Sequence, residues 1–211
     1  MRNLTVTLCL TIAVLLGSAG MGESNDSIFY PPGAPKIASG FQSYIGVNGL
    51  DRSAPHQGID ITGNDGQEIL AVADGTVLEA TEEKCWGPTI ALDHGKGEDG
   101  DKIVALYGHV GDMLVAAGDK VKRGQLIAHL GNNQGKFECM FGVRHLHFQI
   151  GREYRDQFNK GTYWGWAYFL EDGARGINPH LYWADRPNKV TCFEPNKKYK
   201  LGTLTYPVPC D

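Results

Sequence analysis

Short runs of apolar and β-branched residues recur along this chain, and glycine or aspartate separates most of them. No segment between the runs shows the period of a long amphipathic helix, so the pattern predicts short antiparallel strands and an all-β fold. With 211 residues, the chain is long enough for one domain with a sizeable core. Asp74 and Gly75 lie between the first two runs and predict a tight hairpin. The predicted strands are Ile69–Ala73, Gly75–Ala80, Thr89–Leu92, Ile103–Tyr107, Gln125–His129 and Leu146–Ile150.

The first 22 residues have the layout of a secretory signal. Arg2 supplies a positive charge, Leu4 to Leu16 form an apolar run, and small residues follow. The apolar run is too short for a permanent membrane span, so we expect a cleaved signal, a secreted or periplasmic protein and no stable membrane insertion. The remainder divides into an irregular lead-in (23–36), one folded domain (37–185) and a C-terminal tail (186–211).

Four cysteines remain once the signal containing Cys9 is removed: Cys85, Cys139, Cys192 and Cys210. An even number in an exported chain favours disulfides. Three pairings are open, and we favour Cys85 with Cys139 and Cys192 with Cys210, because the last two bracket a short tail that contains proline. Reduced thiols are the alternative, and zinc ligation is disfavoured because no Cys-x-x-Cys spacing occurs.

The charge balance argues against one class of partner. Twenty basic and 24 acidic side chains give a net charge of -4, which argues against a general affinity for nucleic acid. The partner must therefore be inferred from a site. The sequence leaves the oligomeric state open, and a monomer is the simplest expectation.

Two histidines lie two residues apart in the last predicted strand. Residues at this spacing point to the same face of a sheet, so His145 and His147 are expected to project together. A metal ligand beside a proton-handling group would suit this arrangement. An unremarkable surface pair explains the same spacing about equally well.

A second group of polar residues lies between Pro55 and Ile61. His56 and Asp60 are both suitable zinc ligands, and Gly58 lets a short loop bend so that both reach one ion. Any histidine and aspartate can lie four apart, so this signal is weak alone. Together with His147 it supplies three ligands and leaves a fourth position for water, as catalytic zinc sites do.

Several motifs occur together in one order. They are His56-x-Gly58-x-Asp60, Ala71 to Val77, Asp93-His94-Gly95, Tyr107-Gly108-His109, Gly118-Asp119-x-Val121-x-x-Gly124-Gln125 and His145-Leu146-His147-Phe148. From about Ala54 to Ile150 the chain resembles the lysostaphin-type (LytM-like) zinc metallopeptidases that cut peptidoglycan cross-links. Asn178-Pro179 resembles the family's closing turn.

This resemblance implies a fold and an activity. The fold is a sandwich-like domain of antiparallel β-sheets, the duplicated hybrid motif, with long loops around an active-site groove in residues 37–185. His56, Asp60 and His147 would bind one Zn²⁺ per chain, and His109 and His145 would flank the water on the metal. One histidine would take a proton and the pair would stabilise the oxyanion. The expected substrate is a stem or cross-bridge peptide of peptidoglycan.

Two other functions stay open. One is a non-catalytic module that binds peptidoglycan or activates another cell-wall hydrolase. The other keeps the peptidase but directs it to secreted proteins with glycine-rich segments. Departures from the family pattern at Thr62 and in the loop Gly97 to Asp101 leave the shape of the groove undetermined.

The remaining features have plainer interpretations. We expect His94 to end a strand at the Asp93-His94-Gly95 turn and His129 to be packed or in solvent, while His180 has no partner in the sequence pattern. The aromatic segment Tyr154 to Phe169 either covers a sheet face or forms one wall of a substrate groove. The basic cluster Lys197 to Lys200 is most simply a solvated surface, with anionic wall polymers as the alternative contact.

Overall fold

Two antiparallel β-sheets form the body of the protein in a computed structural model, which describes residues 27–83, 86–131, 136–137, 142–152 and 176–211. The predicted all-β, sandwich-like fold is confirmed. The described strands are β1 (Ile37–Ser39), β2 (Ile59–Thr62), β3 (Glu68–Leu70), β4 (Gly75–Glu83), β5 (Gly87–Lys96), β6 (Lys102–Gly108), β7 (Val110–Met113), β8 (Lys120–Val121), β9 (Leu126–Leu130) and β10 (His145–Gly151).

The larger sheet has seven strands in the order β1-β2-β10-β6-β5-β4-β8, and the smaller has three in the order β3-β9-β7. Buried side chains of both sheets meet in one hydrophobic core, for example Ile90 and Phe148 from the larger sheet and Ile127 from the smaller. A short 3-10 helix, Pro179–Leu181, follows, with Asn178 as its N-cap. Among the described residues, no helix is long and apolar enough to cross a membrane.

The central strands are buried on both faces, which explains their nearly continuous apolar runs. In β6, Ala105 and Tyr107 point into the main core. Val104 and Leu106 point the other way, where they pack with Ala91 of β5. The same alternation in β10 sends Leu146, Phe148 and Ile150 into the core. The opposite face of β10 therefore carries the polar residues His145, His147 and Gln149.

Two local predictions from the sequence are wrong. Asp74 and Gly75 do not close a hairpin, because β3 pairs with β9 in one sheet while β4 pairs with β5 and β8 in the other. Gly75 is instead required by a close approach, since a Cβ atom there would lie 2.7 Å from the carbonyl oxygen of Asp93. Asp60, expected on a loop, lies within β2, paired with β1 and β10.

The C-terminal tail (186–211) contributes side chains to the core of the fold. Its side chains Val190, Leu204, Tyr206 and Val208 are buried in the main core. Cys192 and Cys210 form a disulfide, as we favoured from the sequence. The lead-in reaches the same region, because Phe29 forms a β-bridge with Lys189.

Candidate metal centre

Two neighbouring strands of the larger sheet, β2 and β10, bring polar side chains together on the face that points away from the core. In the antiparallel pair of β2 and β10, Asp60 lies directly opposite His147. Gly108 of β6 lies opposite His147 on the other side. Side chains of directly opposed residues share a face, so the sheet register alone brings Asp60 and His147 together.

His56 completes a compact cluster. Its Nε2 lies 3.1 Å from Asp60 Oδ1 and 3.0 Å from His147 Nδ1, and His147 Nδ1 lies 2.9 Å from the same carboxylate oxygen. All three residues are buried. The structure thus brings together the three residues expected to bind metal, with their ligand atoms within 4.8 Å of one another.

The outer nitrogens of the two rings fix where the protons are. His56 Nδ1 lies 3.0 Å from the carbonyl oxygen of Gly40, which can only accept, so Nδ1 carries the proton. His147 Nε2 lies 3.2 Å from Gln149 Oε1 and donates to it in the same way. In the neutral rings, the nitrogens that face Asp60 therefore carry lone pairs.

Two lone-pair nitrogens and a carboxylate oxygen this close repel one another unless a cation lies between them. Tetrahedral zinc with Zn–N bonds of about 2.0 Å separates its ligand atoms by about 3.3 Å, close to the spacing here. The residues present therefore fit a divalent metal ion. Hydrogen bonds that orient each ligand through its far side are typical of protein metal sites.

Asp60 is ionised in this setting. Burial by itself raises the pKa of Asp60, but in the metal-free protein hydrogen bonds from His147 and His56, when protons occupy their inner nitrogens, outweigh burial and hold the pKa well below its ordinary value. The second carboxylate oxygen, Oδ2, lies 2.6 Å from Nη2 of Arg52. One oxygen of the Asp60 carboxylate thus faces the two histidines, and the other faces the guanidinium of Arg52.

His109 and His145 lie beside the cluster, with ring centroids 4.7 Å apart. His109 Nδ1 donates to the carbonyl of Trp86 at 2.8 Å, and His145 Nδ1 donates to the carbonyl of Val143 at 2.7 Å. Both rings consequently present an unprotonated Nε2 when they are neutral. The Nε2 of His145 lies 3.8 Å from Asp60 Oδ1.

Burial keeps both of these histidines neutral near pH 7. Desolvation is the main cause of the lowered pKa of His109, and the neighbouring His145 and His147 lower it further. Desolvation also lowers the pKa of His145, while the charge of Asp60 acts in the opposite direction. His109 has a φ of +66°, an unfavourable conformation for a residue with a side chain, and such strain is often found at functional sites.

All five residues line one open cavity of about 480 Å³. Its lining also includes Arg52, Trp86 and Gln149, which we did not predict from the sequence. Gln149 could have been predicted, since it follows His147 by two residues on the same strand face. Nothing in the sequence marks Arg52, eight residues before Asp60, or Trp86, whose ring lies 4.7 Å from that of His147.

The other histidines lie elsewhere. His94 lies within β5 and donates from Nδ1 to the carbonyl of Asp74 at 3.0 Å. His129 forms an exposed pair with Asp112 at 3.0 Å. His180 has a partner that the sequence pattern did not indicate, because Trp183 Nε1 donates to its Nδ1 at 3.0 Å. None of the three lines the cavity with the candidate metal ligands.

The basic cluster of the tail is partly paired. Lys197 Nζ lies 2.7 Å from Asp185 Oδ1 and 3.3 Å from Glu194 Oε1.

Three predictions fall outside the described residues: the signal segment 1–22, the Cys85–Cys139 pairing and the aromatic segment Tyr154 to Phe169.

Residues 54–160 match the model of peptidase family M23, which covers half of the chain. The chain belongs to this family. The M23 match includes all five candidate site residues, from His56 to His147, and ends before the C-terminal tail.

The curated proteins that are similar in sequence to this chain carry different descriptions. The murein hydrolase activator EnvC of Escherichia coli is 29% identical over 136 residues, which cover 64% of this chain and 29% of that protein. The murein hydrolase activator NlpD of Escherichia coli is 38% identical over 96 residues, covering 45% of this chain and 22% of that protein. Endolysin 2638A of Staphylococcus phage 2638A is 32% identical over 97 residues, covering 45% and 18%.

The M23 chain thus spans less than a third of the length of each of these relatives. Among solved structures, the catalytic domain of the antimicrobial peptidase lysostaphin from Staphylococcus simulans is similar. It is 26% identical, covers 69% of this chain and 89% of that domain, and has a TM-score of 0.46. Membership of the family rests on the sequence match.

Proposed function

We propose that this protein is a zinc-dependent endopeptidase that hydrolyses peptide cross-links of bacterial peptidoglycan. The observation that carries the proposal is the convergence of His56 Nε2, His147 Nδ1 and Asp60 Oδ1 beside two further histidines with unprotonated Nε2 atoms. Membership of the M23 peptidases supports it. The signal-like segment 1–22 supports a secreted or periplasmic location, where peptidoglycan lies.

His56, Asp60 and His147 would hold the zinc. When bound, zinc lowers the pKa of a water ligand towards neutrality and polarises the carbonyl group of the scissile peptide. The protein supplies the rest of the chemistry. The open cavity admits an extended peptide, and its buried floor raises the strength of every charge interaction at the reacting atoms.

His109 and His145 would handle the proton. Because their Nδ1 atoms donate to carbonyl groups, each neutral ring can accept a proton at Nε2 and cannot donate one there. A ring that has accepted the proton of the attacking water becomes a donor. It can then stabilise the negative oxygen or protonate the leaving amine, which gives the pair its general acid–base role.

Digestion of purified cell-wall sacculi tests the proposal. We expect the zinc-loaded protein to release peptide-linked fragments, and mass spectrometry of these fragments identifies the bond cleaved. A folded protein with stoichiometric zinc that released nothing from walls of several types, while a known hydrolase did, would contradict the proposal. Comparing glycine-bridged with directly cross-linked peptides separates wall cleavage from cleavage of glycine-rich secreted proteins.

The second candidate is a murein hydrolase activator without activity of its own. The similarity to EnvC and NlpD, which are described as murein hydrolase activators, favours it. The intact set of two histidines and an aspartate favours the enzyme, because an activator needs no open metal site. Zinc analysis separates the two: a folded protein without stoichiometric zinc that still enhanced another hydrolase would be the activator.

A further inference from the structure

We infer that Arg52 is a positioning residue that makes Asp60 bind the metal through one oxygen only. This inference rests on the proposed zinc site. The Nη2 atom of Arg52 lies 2.6 Å from Asp60 Oδ2, while Oδ1 faces His56 and His147 at 3.1 and 2.9 Å. The two oxygens of one carboxylate thus have separate partners.

This division affects the number of ligands on the metal. A carboxylate can bind a metal through one or both oxygens, and a catalytic zinc site needs three protein ligands with one position left for water. A short, charge-assisted hydrogen bond to Oδ2 opposes two-oxygen binding. Arg52 therefore keeps the fourth position open.

The chain around Arg52 holds its side chain in place. The backbone N–H of Arg52 donates to the carbonyl of Tyr44 at 2.7 Å, and the backbone N–H of Gly46 donates to the carbonyl of Leu50 at 2.8 Å. These two bonds close a small hairpin. The Nε atom of Arg52 is buried without a hydrogen-bond partner among the described residues. A Cβ atom on Gly46 would lie 3.7 Å from that Nε, so the hairpin covers the guanidinium.

Cobalt substitution tests this without any measurement of turnover. Four-coordinate Co²⁺ absorbs visible light more strongly than five-coordinate Co²⁺. We expect Arg52→Gln to bind one Co²⁺ per chain with clearly weaker visible absorption than the unchanged protein, and its hydrolysis rate to fall at least about tenfold. Arg52→Lys keeps a positive donor and is expected to restore most of the absorption.

Arg123→Gln is the matched control. Arg123 is also partly buried, but its guanidinium bonds to the carbonyls of Val72 and Thr203, outside the cavity that holds the candidate metal ligands. We expect this variant to lose stability and to keep the cobalt spectrum unchanged. A folded Arg52→Gln variant with the spectrum of the unchanged protein would overturn the inference, and so would one that no longer bound cobalt.

A second measurement uses the unchanged protein and does not depend on a variant that folds. In a crystal structure with zinc bound, we expect Asp60 Oδ1 at about 2.0–2.2 Å from the metal and Oδ2 on Arg52. Both oxygens on the metal would overturn the role of Arg52 while leaving the zinc site intact. Failure of the unchanged protein to bind zinc or cobalt would instead contradict the proposed function.

Discussion

Asp60 and His147 lie directly opposite each other on β2 and β10, and the Oδ1 and Nδ1 atoms of their side chains are 2.9 Å apart. The register of the sheet therefore fixes two of the three candidate ligands before any metal binds. Only His56 comes from a connecting segment, and its ring is held by the carbonyl of Gly40. We expect a largely preformed site.

Replacing a ligand and replacing a neighbouring histidine should have different effects. His147→Ala should abolish both zinc binding and hydrolysis. His109→Ala should keep zinc and lose about 10²–10⁴ in rate, since it removes a proton acceptor alone. Zinc content after dialysis and initial rates on the same samples check this, and equal loss of zinc in both variants would show that the ligands are misassigned.

His109 should be held in its conformation at a cost in stability. Its φ of +66° is one that glycine adopts freely and alanine does not. We therefore expect His109→Gly to be more stable than His109→Ala by about 1 kcal/mol, although both remove the ring. Urea denaturation of the two variants measures the difference. Equal midpoints and slopes would mean that the backbone relaxes out of this conformation.

Acid should destabilise the protein partly through His180. Burial lowers the pKa of His180 to about 4, whereas an unfolded histidine titrates near 6.5. Between these values the unfolded chain binds the extra proton, so stability is full above pH 6.5 and falls as the pH drops towards 4.

His180→Gln removes this titration and leaves an acceptor for Trp183 Nε1. Relative to this variant, the unchanged protein should lose up to about 1.4 kcal/mol per pH unit below pH 6.5. Unfolding free energies at several pH values test this. Parallel curves for the two proteins would exclude His180 as the group responsible.

The disulfide of the tail should stabilise the fold and leave the metal site unaffected. Cys192 and Cys210 are 18 residues apart. Closing a loop of this length lowers the entropy of the unfolded chain, which stabilises the folded state by about 3 kcal/mol. Cys192→Ser with Cys210→Ser should lower the unfolding free energy by roughly that amount, with zinc binding unchanged. A double variant as stable as the parent would contradict this, as would one that lost zinc.

Two of the five expected site residues could be placed together from the sequence, because strand periodicity is a local property that the sequence displays. His145 and His147 share a face of β10 for this reason. Ligand chemistry singled out His56 and Asp60, and the family resemblance made that set specific and supplied His109. The same periodicity would have added Gln149.

Arg52 and Trp86 were not predictable in this way. Trp86 meets His147 only through the packing of segments far apart in the sequence, and Arg52 meets Asp60 only through the path of the loop before β2; no strand periodicity records either contact. The failed hairpin at Gly75 has the same origin. Asp-Gly is a turn signal, but here the chain passes from one sheet to the other, and a close approach to Asp93 requires the glycine.

The core side chains of the tail change where the folding unit of this M23 protein ends. The segment shared with the family stops at residue 160, yet Val190, Leu204 and Tyr206 fill the same core as Ile59 and Phe148. A fragment cut to the shared segment would expose apolar surface that these side chains cover. The region that this chain has in common with its relatives is therefore smaller than the region that must fold together.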